Sequence, residues 1–171
     1  MTRTAQLANV ASGGVIQVQQ TVKTDTFTSN ERTNFIDITG MSVAITPKFS
    51  SSKILVMYRI GLSIVTGAYV CHLRLLRGST NIAQGTAGSN SLAVTTSAYS
   101  DNSGAGGYPI YYNSMDFLDS PSTTSSTTYK LQARGWNTSA GTFYVNRAYS
   151  YGDTVDHAQQ ISSITAMEIA Q

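Results

Sequence analysis

The sequence predicts an all-β fold, an antiparallel β-sandwich of jelly-roll type with about eight to ten strands, on three observations. Apolar residues recur at every second position through most of the chain, which is the period of a strand with one buried face. Gly, Pro, Asn and Asp punctuate these rows, and no stretch outside the N-terminal tail has helical spacing. Finally, 22 Ser and 22 Thr stand against a charged fraction of only 12%, so hydroxyls replace surface charge and β-branched Thr favours pleated faces.

Residues 1–14 read as an N-terminal arm, because Thr2, Arg3, Thr4, Gln6, Asn9 and Ser12 break any apolar period and Gly13-Gly14 ends the segment. Residues 15–171 then form a single sandwich domain. Its first strand begins near Val15, where Ile16, Val18, Gln20 and Val22 share what should be the buried face. Phe35 to Ile38 and Met41 to Ile45 read as two short strands with a turn at Thr39-Gly40 between them. The clearest element is Lys53 to Ile64, a central strand whose core row is Ile54, Val56, Tyr58, Ile60, Leu62 and Ile64. Tyr69 to Arg77 follows, and Gly78-Ser79 turns it into a hairpin with Thr80 to Ala83. Met115 to Leu118, Thr128 to Arg134, Thr142 to Tyr149 and Ile161 to Ile169 complete the set, the last with Thr165, Met167 and Ile169 on one face. Gln84 to Ser114, rich in Gly, Ser, Asn and Tyr, is longer than the ~12–15 residues of an ordinary loop. A short strand is expected in it at Leu92 to Thr95, and the remainder is a candidate functional surface.

Composition excludes several classes of function. A chain of 171 residues with 41% hydrophobic content buries one core, and ten Tyr, five Phe and abundant aliphatics argue against disorder. The 11 Lys and Arg are scattered singly for a net charge of +2, so no nucleic-acid interface is expected. Cys71 is the only cysteine, which rules out an internal disulfide, and no Cys/His cluster has metal-ligand spacing. No cofactor is expected. The N-terminus lacks a signal-peptide core and no apolar run approaches the ~20 residues of a membrane span, so synthesis and solubility in a cytoplasm are expected.

No catalytic constellation emerges. His72 lies mid-strand and His157 in a polar loop, neither with a partner at catalytic spacing. No Ser occupies a G-x-S-x-G elbow, and Gly104-Ala105-Gly106-Gly107 lacks the Lys of a phosphate loop. Asp116 with Asp119, and Asp153 with Asp156, are the close carboxylate pairs available for glycosidase chemistry; Asp119, ahead of Ser120-Pro121, reads better as a turn initiator. The protein is therefore expected not to be an enzyme. Arg59, Arg74, Arg134 and Arg147 interrupt strand rows and read as solvated outward residues, or as partners of Asp37 or Asp116 across a subunit contact. Tyr99, Tyr108, Tyr111 and Tyr112 have the composition of a recognition surface, or cap the ends of the core. With Arg3, Leu7 and Val10 of the arm, these tyrosines are the candidate binding and oligomer-contact residues.

Several stretches resemble a module of tailed-phage virion proteins, found in tail fibres and as free-standing accessory proteins. They are Gly13-Gly14-Val15-Ile16-Gln17-Val18-Gln19-Gln20, Ile38-Thr39-Gly40-Met41-Ser42-Val43-Ala44-Ile45-Thr46-Pro47, Ser51-Ser52-Lys53-Ile54-Leu55-Val56, Leu75-Leu76-Arg77-Gly78-Ser79-Thr80, Leu118-Asp119-Ser120-Pro121, Thr127-Thr128-Tyr129-Lys130 and Ser163-Ile164-Thr165-Ala166-Met167-Glu168-Ile169. The resemblance runs from about residue 13 to the end and lies in the order and spacing of these pieces. It implies a β-sandwich, commonly a homotrimer, with a structural or receptor-binding role and no shared catalytic residues. The short lead before the first strand favours a capsid decoration or cement protein, assembled in the host cytoplasm and bound to virion proteins such as the major capsid protein. The Tyr-rich segment suits the alternative, a fibre tip binding a host surface glycan. A polysaccharide-degrading tail spike is the third reading, disfavoured by the missing carboxylate signature. The symmetric self-contact is expected within Gln84 to Ser114, and the arm is expected to anchor on a neighbouring subunit or virion protein.

Overall fold

The structure, a computed structural model, describes residues 13–64, 70–99, 109–136, 142–152, 154, 155 and 157–171. Among them there is no helix, and eleven strands make two antiparallel sheets. The strands are β1 (Val15–Lys23), β2 (Phe27–Ser29), β3 (Ile36–Ile45), β4 (Lys53–Ile64), β5 (Val70–Arg77), β6 (Thr80–Ile82), β7 (Thr96–Tyr99), β8 (Tyr111–Asp119), β9 (Thr127–Gly135), β10 (Phe143–Val145) and β11 (Ser162–Ile169).

Register reduces the eleven strands to eight lanes. Strand β4 pairs with β8 along one edge, and along the other with β11 and then β10. Strands β1 and β2 flank β11 and β10 in turn. One sheet therefore reads β8, β4, β11/β10, β1/β2 across its lanes. In the other sheet β9 joins β3 to β5, whose far edge carries β6 and then β7, giving β3, β9, β5, β6/β7. Numbered along the chain, the lanes run 1-8-3-6 and 2-7-4-5, the order of a double Greek-key jelly roll.

The core lies between the sheets. Ile54, Val56, Tyr58, Ile60, Leu62 and Ile64 of β4 face Cys71, Leu73 and Leu75 of β5, Tyr129, Leu131 and Ala133 of β9, and Met41, Val43 and Ile45 of β3, all buried. The single alternating row of β4 is thus the spine of the molecule, as its sequence predicts. Polar ties cross the core at its margins. Tyr58 and Thr96 hydroxyls lie 2.6 Å apart while Thr96 donates to Asn113 at 2.6 Å, and Asp119 accepts from Tyr129 at 2.7 Å and from Arg77 at 2.9 Å. Burial pushes the Tyr58 hydroxyl up to about 12, so it stays a donor.

Several expectations need correction. The apolar row of β1 faces outward: Val15, Val18 and Val22 are exposed, and the inward positions are Gln17, Thr21 and Lys23. The reason is polar: Gln17 donates to buried Glu168 at 2.6 Å, and the fully buried Lys23 ammonium reaches Asp25 at 2.8 Å. The supposed turn at Thr39-Gly40 is a bulge inside one continuous β3, where Gly40 adopts φ +82° between the Asp37–Gln132 and Ser42–Lys130 pairs. In place of a strand at Leu92 to Thr95, β7 begins at Thr96 and β8 extends back to Tyr111, so Tyr111 and Tyr112 are strand residues. Asp119 is a buried anchor at 5% exposure rather than a turn initiator. The expected strand from Thr142 stops at Val145.

Asn146 explains that stop. Fully buried, it adopts φ +63°, which its short amide tolerates better than most side chains. Its Nδ2 donates to the carbonyls of Lys23 and Asp25 at 2.9 and 3.0 Å, and its Oδ1 accepts from Ser162 at 2.6 Å. One side chain thereby joins the break between β1 and β2 to the break between β10 and β11. Asn146→Ala should lose about 2 kcal/mol in urea unfolding, since it removes these bonds and strains the backbone. Asn146→Gly should recover only the backbone part.

Candidate assembly and recognition surfaces

Alternation decides which side chains reach the outside of each sheet, and the two outer faces differ in chemistry. On the β8, β4, β11, β1 face, register aligns Leu118 with Leu55, Leu55 with Met167, and Met167 with Val18. An unbroken apolar rib therefore crosses four lanes. Leu118 is 47% and Val18 49% exposed, while Leu55 and Met167, in the middle lanes, are half-buried. The next row towards the strand start of β4 holds Val15, Ile169 and Lys53, and the next row on the other side holds Gln20, Thr165, Met57 and Asp116. Beyond these, Arg59 stacks 3.7 Å from the centre of the Tyr112 ring. Arg59 is exposed, as expected, and lies over an aromatic face as well.

The outer face of the other sheet is polar and positive towards one end. Lys130 and Gln132 both bind Asp37 at 2.8 Å, so Asp37 has its cation within its own chain and needs none from a neighbour. Arg74 lies 3.8 Å and Arg134 5.5 Å from the Phe35 ring centre. His72 bonds Ser97 at 2.8 Å, and burial together with the Arg134 charge holds its pKa below the usual histidine value. Strands β2, β4, β7 and β9 finish, and β3, β5, β8 and β10 begin, at the same end of the sandwich. There Tyr99 pairs with Val70, and the Trp136 amide donates to the Val70 carbonyl at 2.9 Å. Tyr99 and Trp136 flank Val70 in a row beside His72, Ser97 and Arg134, with the two rings 60% and 47% exposed. Of the sequence candidates, Tyr99 belongs to this row, Tyr111 and Tyr112 lie on β8 at the same end, and Arg3, Leu7, Val10 and Tyr108 lie outside the described residues. Trp136 went unrecognised in the sequence because it follows the strand row of β9 and only the pairing places it beside Tyr99.

Catalytic arrangements do not assemble among the described residues. Asp116 and Asp119 point to opposite faces of β8, the first exposed and the second buried against Tyr129 and Arg77, so they share no site. Asp153 and Asp156 lie outside the described residues. His157 sits against the backbone of Gly152 in its own loop. No group of three or more His, Cys, Asp or Glu that would hold a metal ion occurs among the described residues. The Cys71 thiol is buried, and burial pushes its pKa far above the ordinary range, away from a nucleophile's.

No family model and no curated protein matches the chain. Similar solved structures include the infectious bursal disease virus Gt strain, at TM-score 0.48 and 13% identity over 94% of this chain and 39% of that one. The infectious bursal disease virus VP2 subviral particle aligns at TM-score 0.42 and 13% identity, over 91% of this chain and 38% of that one. The chain spans about two-fifths of the length of these neighbours. The jelly-roll assignment rests on the strand order of this chain itself.

Proposed function

We propose that this chain is a non-enzymatic structural module of a virus particle, specifically a tailed-phage capsid decoration or cement protein that assembles with copies of itself and with other virion proteins such as the major capsid protein. The observation that carries the reading is an apolar rib left on the outside of a jelly roll, an architecture that viral capsids use. Sequence stretches resembling phage virion modules support it independently. Threefold self-assembly comes from that resemblance alone. The Gly13 amide donates to the Ala170 carbonyl at 2.8 Å and the Ala170 amide to the Gly14 carbonyl at 2.9 Å, so Gly13 and Gly14 are held at the margin of β11. In the proposed role Arg3, Leu7 and Val10 engage a neighbouring protein.

A second reading, a fibre tip, is favoured by the row of Tyr99, Val70 and Trp136. Exposed aromatic rings beside His72, Ser97 and Arg134 suit the apolar face and hydroxyls of a host glycan. Copy number in purified particles discriminates. High copy number, with attachment lost on deleting residues 2–12, is the expected result; a few copies indicate a fibre. Absence from particles, or cleavage of host polysaccharide, overturns the proposal.

A further inference from the structure

We infer that the apolar rib is covered by the same face of a second copy, related by a twofold axis running along the rib. The inference rests on the assembly reading above and adds to it a twofold self-contact on the β8, β4, β11, β1 face, separate from the threefold contact expected in Gln84 to Ser114. Three observations carry it. The rib Val18, Met167, Leu55, Leu118 crosses all four lanes without a polar interruption, so an edge-on or partial contact would leave apolar area in water. The whole face that carries the rib has the extent of a dimer contact: four lanes at about 4.8 Å and nine-residue edge strands at about 3.3 Å per residue give a flat area on the order of 600 Å². A pleated surface of that outline approaches the roughly 800 Å² per partner of a standard interface.

Charge chooses the occupant. Lys53 stands one row to one side of the rib, on β4, and Asp116 one row to the other side, on β8, opposite Met57. Among the described residues neither has an ion-pair partner within the chain. Rotation about the rib exchanges the two rows, placing Lys53 of one copy over Met57 of the other and within one lane of its Asp116. The operation repeats the contact in the opposite sense, so both charges are matched twice by one self-complementary surface. Arg59, already stacked on Tyr112, takes no part.

The test is sedimentation of the full chain across a wide concentration range, with unfolding monitored in parallel. An even-numbered assembly is expected. Leu118→Lys should abolish it, and Lys53→Asp or Asp116→Lys should each weaken it by about tenfold, the scale of an interfacial charge reversal. The double variant Lys53→Asp with Asp116→Lys should restore association. All three positions lie on the outer face, so these proteins should fold; if Leu118→Lys does not, the charge-swap set decides alone. A monomer at every concentration, an odd-numbered assembly indifferent to these changes, or a double variant as weak as the singles overturns the inference. Incorporation into particles is scored separately. Incorporation with indifferent variants sinks the twofold contact and leaves the virion role standing; association through the rib by a protein absent from particles does the reverse.

Discussion

Ile60→Ala should cost about 2 to 5 kcal/mol in urea unfolding, whereas Met57→Ala, three residues away on the same strand, should cost about 1 kcal/mol or less. Ile60 is 0% exposed at the centre of the row between the sheets, and truncation there loses burial and leaves a cavity that rigid neighbours on three lanes fill poorly. Met57 stands on the outer face, where a shorter side chain gives up partial contact and leaves no enclosed void. The contrast matters more than either value. Comparable losses at the two positions would mean that both faces of β4 are buried in the protein as prepared, and that the outer face is occupied even in dilute solution.

That contrast is legible in the sequence, since apolar residues occupy every second position of β4 from Ile54 to Ile64 and place Ile60 in that row and Met57 opposite it. Legibility failed where side chains serve geometry instead of hydropathy. In β1 the apolar residues lie outward because Gln17 and Lys23 have polar work inside. Periodicity gives the two faces of a strand and cannot say which is inward when the buried positions are polar. Asn146 reads as an unremarkable strand residue until its positive φ and three amide bonds show it ending one strand and aligning four. The candidate surfaces were legible in part. Tyr99, Tyr111 and Tyr112 were singled out by composition, and all three are exposed. The rib was invisible, because Val18, Leu55, Leu118 and Met167 come from four distant segments and become neighbours only through register.

Glu168 supplies the larger polar effect. It occupies the inward row of β11 with Ile164 and Ala166, at 0% exposure, where an ionised carboxylate would ordinarily be excluded. Burial alone would raise its pKa. Hydrogen bonds from Gln17 and from the amides of Lys48 and Phe49 outweigh burial, and the net shift is downward from the ordinary 4.5. The amide contacts are 2.7 and 3.3 Å, and Gln17 reaches both Glu168 and the Thr46 carbonyl, so one carboxylate clamps the crossover from β3 to β4. Glu168→Ala leaves the Lys48 and Phe49 amides without an acceptor and Gln17 with the Thr46 carbonyl alone, and should cost about 3 kcal/mol at neutral pH. The pH dependence follows from the direction of the shift. With the folded pKa below the unfolded one, the stabilisation is complete above pH 4.5 and drains away as pH falls through the folded value. Glu168→Gln, which keeps an acceptor but cannot titrate, should start less stable at neutral pH and lose less on acidification. Unfolding free energies measured for both proteins from neutral pH to below the glutamate range decide the matter: parallel curves would mean that another carboxylate, not Glu168, governs the acid limb.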